Sequence, residues 1–183
     1  MNVGDAITAT LQGNFAQLDD GDRPDGGAPP SADGGFTVPT PPAPGTYTLS
    51  FAGPARTDCE NSLSGQESSF AQLTPADVNF ADGGVMLTVA GGNVALDGAT
   101  MLQAFGASSV TLNPDPSGLY IGNFSSLTPF AGPLSTSAAN AGLVLDPLDG
   151  APNAIPGEAA VVFANSDFSG YCSVTFAITL SSP

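Results

Sequence analysis

The sequence predicts an all-β protein: an antiparallel β-sandwich or barrel, with an N-terminal strand separated from it by a Pro/Gly/Asp-rich arm. Apolar runs of about five residues recur at roughly ten-residue spacing, which is typical of such folds. The 23 Gly and 17 Pro residues interrupt the chain throughout and leave little room for a long helix. Asp greatly outnumbers Glu, and Asp favours turns whereas Glu favours helix interiors.

The chain before the main domain divides into two segments. Residues Asp5–Gln12 alternate between apolar and polar side chains, with Ile7, Ala9 and Leu11 on the apolar side, and this alternation predicts a half-buried strand. A stretch rich in Pro, Gly and Asp follows, which is typical of a linker or a surface arm. We therefore divide the chain into an N-terminal strand segment (1–18), an arm (19–44) and a β-domain (45–183).

The β-domain begins and ends with its two clearest strands. In Thr46–Phe51, one face carries Tyr47, Leu49 and Phe51, which we expect to point into the core. The last strand also alternates between two faces. Its apolar face, which we expect to point into the core, carries Cys172, Val174, Phe176, Ile178 and Leu180. Its more polar face carries Ser173, Thr175, Ala177 and Thr179. Pairing the first strand with the last would remove two sheet edges.

Shorter apolar runs predict the strands between these two. The predicted strands are Phe70–Leu73, Val78–Phe80, Val85–Val89, Val94–Leu96, Val110–Leu112, Leu119–Phe124, Leu143–Leu145 and Ala159–Phe163, of which the first two are the weakest. Short helical turns are expected only in Thr100–Ala107 and Ser135–Ala141.

The two cysteines predict a disulfide. Cys59 falls in a predicted polar loop and Cys172 in the last strand, and neither belongs to a metal-binding pattern. A Cys59–Cys172 bond would close a loop of more than a hundred residues and would be worth about 4–5 kcal/mol by chain entropy. It would also place the protein in an oxidising compartment, outside the cell or on its surface. The alternative is two buried free thiols.

The charged residues argue against several functions. The chain has no His, no Lys, two Arg and a net charge of −15, so it is poorly suited to bind nucleic acid phosphates. A Ser nucleophile would have no His or Lys to activate it, and we therefore expect no enzyme activity. The least favoured alternative is a glycosidase that uses a pair of carboxylates, since that chemistry needs no His or Lys. No apolar run approaches the ~20 residues of a membrane span.

Calcium is the one cofactor that the sequence leaves open. The pattern N-x-D-x-S-G occurs twice, with Asn113 and Asp115 in the first copy and Asn165 and Asp167 in the second. Such oxygen-rich spacing resembles the first half of a calcium loop, but the bidentate Glu that closes such a loop is missing, and a hairpin turn is the favoured explanation. The densest acidic cluster, Asp19, Asp20, Asp22 and Asp25, is either a second candidate metal site or a solvated linker.

These observations favour a non-catalytic extracellular structural or assembly protein, such as a subunit of a surface, a fibre or a virion. A strand held on an arm can complete the sheet of another copy or of another surface protein by strand addition. The alternative function is a ligand-binding β-module for a sugar or a small apolar molecule. Pairing of the N-terminal strand with its own domain is the alternative to strand exchange.

Overall fold

The computed structural model describes residues 40–125, 131–147 and 153–183, which form a closed barrel of eight antiparallel strands. Each strand pairs with the next in the chain, and the last pairs with the first. The strands are β1 (Gly45–Asn61), β2 (Gly83–Ala90), β3 (Asn93–Asp97), β4 (Ser109–Pro114), β5 (Tyr120–Ser125), β6 (Ser137–Leu145), β7 (Ala154–Ala164) and β8 (Gly170–Ser181). The predicted all-β antiparallel class is confirmed, and the barrel decides between the two predicted architectures. The predicted strand Asp5–Gln12 lies outside the described residues.

The barrel closes along the seam between β1 and β8. Their register runs from Thr48 opposite Ser181 to Asn61 opposite Gly170, with a bulge between Ala52 and Arg56. The first and last strands of the β-domain therefore cover each other's edges, as expected from their length and amphipathic pattern. Cys59 lies within β1 rather than in a loop, because β1 continues past the bulge and keeps its pairing with β8.

The barrel interior is filled by side chains. The predicted inward residues of the first and last strands are buried, apart from Phe51, which is partly buried and packs against the core. The largest fully buried side chains are Tyr120, Phe70, Phe80, Phe105, Phe163, Phe176, Leu49, Leu87, Leu96, Met101 and Leu102. An eight-stranded barrel is just wide enough for such side chains to fill it.

Short helical segments supply part of this core. They are α1 (Glu67–Phe70), a 3₁₀ turn at Pro75–Val78, α2 (Thr100–Ala104) and a 3₁₀ turn at Pro133–Ser135. The Phe70 ring packs on Phe163 with 5.8 Å between ring centroids, and Phe105, the C-cap residue of α2, packs edge-to-face on Phe124 at 5.2 Å. These aromatic contacts bury the inward sides of the helical segments against the strands.

Two weakly predicted strands, Phe70–Leu73 and Val78–Phe80, are wrong, because each begins at the last residue of a short helical segment and neither forms a strand. Phe70 ends α1, and Val78 ends a 3₁₀ turn. The Thr74 side chain accepts a hydrogen bond from the Asp77 backbone, and the Asp77 carboxylate accepts one from Thr74 N at 2.8 Å. This capping box, followed by Pro75 in the first turn, starts a helical turn where the apolar residues suggested a strand.

One of the two predicted helical turns is confirmed. Thr100–Ala104 forms α2, whereas most of Ser135–Ala141 belongs to β6. The small residues of that second stretch pair with β7, from Ser137 opposite Ala164 onward, so tertiary pairing overrides their weak local preference.

Candidate functional site

The disulfide joins the two strands of the closing seam. Cys59 and Cys172 are direct cross-strand partners, 113 residues apart in the chain, with 4.1 Å between their Cα atoms. Both are buried, and Phe163 of β7 is the next partner across the sheet. The predicted bond is therefore confirmed, and it lies in the wall of the core.

The second N-x-D-x-S-G segment forms the hairpin between β7 and β8. The Asn165 side chain donates to the hydroxyl oxygens of Ser62 and Ser169, both at 2.9 Å, and accepts from Gly170 N at 3.0 Å. These bonds tie the hairpin to the turn that leaves β1. A Cβ atom on Gly170 would lie 2.8 Å from Leu63 N, so only glycine fits between the two turns.

In both copies of the repeated pattern, the aspartate carboxylate accepts hydrogen bonds from residues of its own turn. Asp115 Oδ1 accepts from Ser117 N at 2.9 Å and from its hydroxyl at 2.6 Å, and Asp167 Oδ1 accepts from Ser169 N at 3.1 Å. The hydrogen bond from Ser169 N, followed by that of the Ser169 side chain, lowers the pKa of Asp167. The geometry of both copies is that of an Asx turn in a hairpin.

The candidate calcium ligands are not brought together by the described part of the fold. Asn113 lies near the end of β4 and Asp115 in the turn to β5, whereas Asn165 and Asp167 connect β7 with β8. Within residues 40–125, 131–147 and 153–183, no three or more acidic, Cys or His residues cluster closely enough to hold a metal ion. The other candidates, Asp19, Asp20, Asp22 and Asp25, lie outside the described residues.

An ion pair that the sequence did not predict crosses the seam. Arg56 of β1 reaches over β8 to Glu158 of β7, with 3.0 Å between Nη2 and Oε2. The Glu158 side chain is 16% exposed, and its burial raises the pKa although Arg56 opposes the rise. The available sequence signal was that Arg56 is the one basic residue of the β-domain and that Glu158 lies in an otherwise uncharged stretch.

Part of the outward face of β6, β7 and β8, on the side away from the core, is also buried, although Ser137 and Ala177 on the same side are exposed. The buried side chains of this outward face are Val144, Ala160, Val162, Ala164, Ser173 and Thr175, of which the most exposed are only 6% accessible. The sequence analysis assigned Ser173 and Thr175 to a polar face and missed this burial. The signal was Ala159–Ala164, whose apolar residues are continuous rather than alternating, as in a strand that is covered on both sides.

Ser173 stands out within the outward face because its hydroxyl has no hydrogen-bond partner. The residue is 1% exposed. Among the described residues, its Oγ is the one buried side-chain oxygen or nitrogen atom that has no hydrogen-bond partner. Burying a hydroxyl without a partner costs on the order of 1–3 kcal/mol.

Part of β1 offers a backbone edge. β1 pairs with β2 only from Gly45 to Leu49, and beyond that no strand among the described residues occupies the same side of β1. The bulge around Pro54, which has no N–H to donate, breaks this edge, and Asn61 has a left-handed backbone, so the regular part of the edge runs from Arg56 to Glu60. The predicted assembly residues Ile7, Ala9 and Leu11 lie outside the described residues.

The chain thus has the fold of an eight-stranded antiparallel barrel with a filled core. No family model, no curated protein and no solved structure matches it. Among the described residues, none of the helices has the length and apolar character needed to cross a membrane.

Proposed function

We infer that this protein is a non-catalytic extracellular structural subunit that assembles with copies of itself, or with other surface proteins, through its N-terminal segment. The mode of assembly is strand addition, in which Asp5–Gln12 pairs with a barrel edge and buries Ile7 and Leu11. The disulfide supports the extracellular setting, because such bonds persist in oxidising compartments.

The observation that carries this proposal is the unpaired edge of β1. Beyond Leu49, β1 has β8 on one side and no described strand on the other, and this stretch is longer than the partly unpaired stretches of β4 and β5. The regular stretch Arg56–Glu60 spans about 17 Å, which is close to the usual length of a strand. Its backbone groups give an incoming strand the hydrogen bonds that strand addition requires.

Two further observations favour assembly over the alternatives. Large aromatic side chains occupy the barrel interior, where a ligand-binding barrel holds its ligand. Among the described carboxylates, the one whose pKa is raised by burial is Glu158, and it is paired with Arg56 on the outer side of the seam. A general acid would instead need to face a cleft that admits substrate.

Light scattering and negative-stain microscopy of the full chain test the proposal. We expect polymers or oligomers from the full chain, and folded monomers after replacement of Ile7 and Leu11 by Asp. The matched control replaces Thr8 and Thr10 of the same segment by Asp, which leaves the apolar side of the predicted strand intact. A full chain that stays monomeric at high concentration would overturn the proposal.

A further inference from the structure

We propose that one end of the barrel is a docking surface for a basic partner protein, with Leu134 and Phe168 as its apolar anchors. The partner presents apolar side chains that are bordered by Lys or Arg. This inference goes beyond the proposed function, because it concerns two turns outside the edge of β1 and needs neither residues 1–18 nor a second copy of the chain.

The first step is the position of the two anchors. Leu134 lies in the turn that leads into β6, and Phe168 lies in the hairpin between β7 and β8. The pairing of β6 with β7 begins at Ser137 and Ala164, the residues that border these two turns. Since paired strands lie about 5 Å apart, the two turns are neighbours at one end of the barrel.

The second step is exposure. Among the residues that the structure describes, three large apolar side chains are exposed, namely Phe168, Leu134 and Met86, at 59%, 50% and 46%. A single exposed apolar residue, such as Met86 on β2, is ordinary at a protein surface, whereas two in neighbouring turns form a patch. The barrel end that carries Leu134 and Phe168 is therefore a candidate contact surface.

The third step is the backbone at the anchors. Leu134 and Phe168 have φ angles of 54° and 55°, in the left-handed region that glycine occupies freely and that costs free energy for a residue with a Cβ atom. Neither side chain fills the core, so folding does not account for Leu and Phe at these positions. Residues held in this way are concentrated at binding sites, where contact with a ligand offsets the cost.

The fourth step is that both turns are fixed without a partner. Gly132 N donates to the Thr136 carbonyl oxygen at 2.8 Å, and Thr136 N donates to that of Pro133 at 3.0 Å. The hairpin is held by Asn165, whose side chain donates to the Ser62 hydroxyl oxygen at 2.9 Å. A surface that is already ordered loses less conformational entropy when a partner binds.

The fifth step identifies the partner by its charge. Glu60, Glu67 and Asp167 lie at or beside the turns of this end, whereas Arg56, the one basic residue of the β-domain, is paired with Glu158. A second copy of the chain, whose net charge is −15, would bring like charges to this surface. Anionic lipids and nucleic acids are disfavoured for the same reason. A different protein that carries Lys or Arg around apolar side chains is complementary both in charge and in polarity.

Fluorescence anisotropy of the full chain tests the proposal with a defined probe, a labelled synthetic peptide of Leu and Lys in amphipathic order. The test variant combines Leu134→Gly with Phe168→Gly, because glycine suits both backbone positions and removes both anchors. Met86→Ala is the matched control, since it removes an exposed apolar side chain from another part of the barrel. We expect L134G/F168G to bind the peptide on the order of 10-fold more weakly than the wild-type chain, and M86A to bind as the wild type does. Added salt should weaken binding to the wild type.

Any of three results would overturn the docking proposal: no binding of the peptide to the full chain, equal binding by the wild type and L134G/F168G, or equal binding of a peptide in which Glu replaces Lys. Circular dichroism and the thermal midpoint show whether each variant keeps the barrel, and we expect midpoints close to that of the wild type. Light scattering of L134G/F168G should still show the assembly expected of the wild-type chain, because residues 1–18 are unchanged. Failure of one proposal is therefore distinguishable from failure of the other.

Discussion

Cys59 and Cys172 face each other across the one pair of strands that are not adjacent in the chain. Every other strand pair of the barrel joins neighbours in sequence, whereas β1 and β8 lie at the two ends of the described domain. The disulfide therefore fixes the contact with the largest loop-closure cost.

Reduction of this bond should lower the free energy of unfolding by about 4–5 kcal/mol, because the reduced chain must close the whole barrel without a cross-link. Denaturant titrations with and without reductant measure this difference. The double variant Cys59→Ser, Cys172→Ser is the control, and reductant should leave its stability unchanged. Two thiols that are freely alkylated in the native protein would contradict the prediction.

Gly122 should not tolerate a larger residue. A Cβ atom there would lie 2.5 Å from Leu112 Cδ2 and 2.7 Å from the Thr111 carbonyl oxygen, because β5 crosses close over β4. We expect Gly122→Ala to cost about 1–3 kcal/mol by overpacking. Gly84→Ala is the matched control, since a Cβ atom on this strand glycine would have no atom within 4 Å. Equal unfolding midpoints for the two variants would refute the close approach.

Glu158 should make stability depend on pH. Its pKa is raised by burial, so the ionised form is disfavoured in the folded state, and stability is lost as the pH rises from the unfolded value through the folded value. Glu158→Gln should therefore be more stable than wild type at pH 7, and the gain should vanish in acid below the unfolded pKa. Other carboxylates contribute equally to both proteins, so the difference between their denaturation curves isolates Glu158.

Arg56→Gln should have the opposite effect at neutral pH. It removes the charge that stabilises the Glu158 carboxylate, and we expect a loss of about 1 kcal/mol at pH 7. The pKa of Glu158 should rise further, which carboxyl NMR titration measures directly. If both single variants changed stability at pH 7 in the same direction, burial would not be the dominant influence on Glu158.

Calcium binding remains a prediction. If calcium binds, we expect weak binding, with a Kd in the millimolar range, carried by Asp19, Asp20, Asp22 and Asp25 rather than by Asp115 and Asp167, which already accept hydrogen bonds from their own turns. Replacing the four acidic residues by Asn should remove the heat measured by titration calorimetry. Asp115→Asn with Asp167→Asn is the control and should leave the heat unchanged. An absence of heat from the full chain at millimolar calcium would refute the prediction.

The sequence by itself determined the fold class, the inward faces of the first and last strands and the disulfide. Each follows from local periodicity or from there being only one possible pairing, as with Leu49, Phe176 and the two cysteines. The same local reasoning misplaced Phe70 and Val78, because a short apolar run looks alike in a strand and in a buried helical turn.

Only the tertiary structure decided between sandwich and barrel, since that depends on whether β1 meets β8 along its edge. The Arg56–Glu158 pair and the unpaired hydroxyl of Ser173 also required it, because both depend on residues that are distant in the chain. Alternation along β8 suggested that Ser173 faces water. Its burial is a property of the tertiary structure, and the period of a single strand does not show whether one or both of its faces are buried.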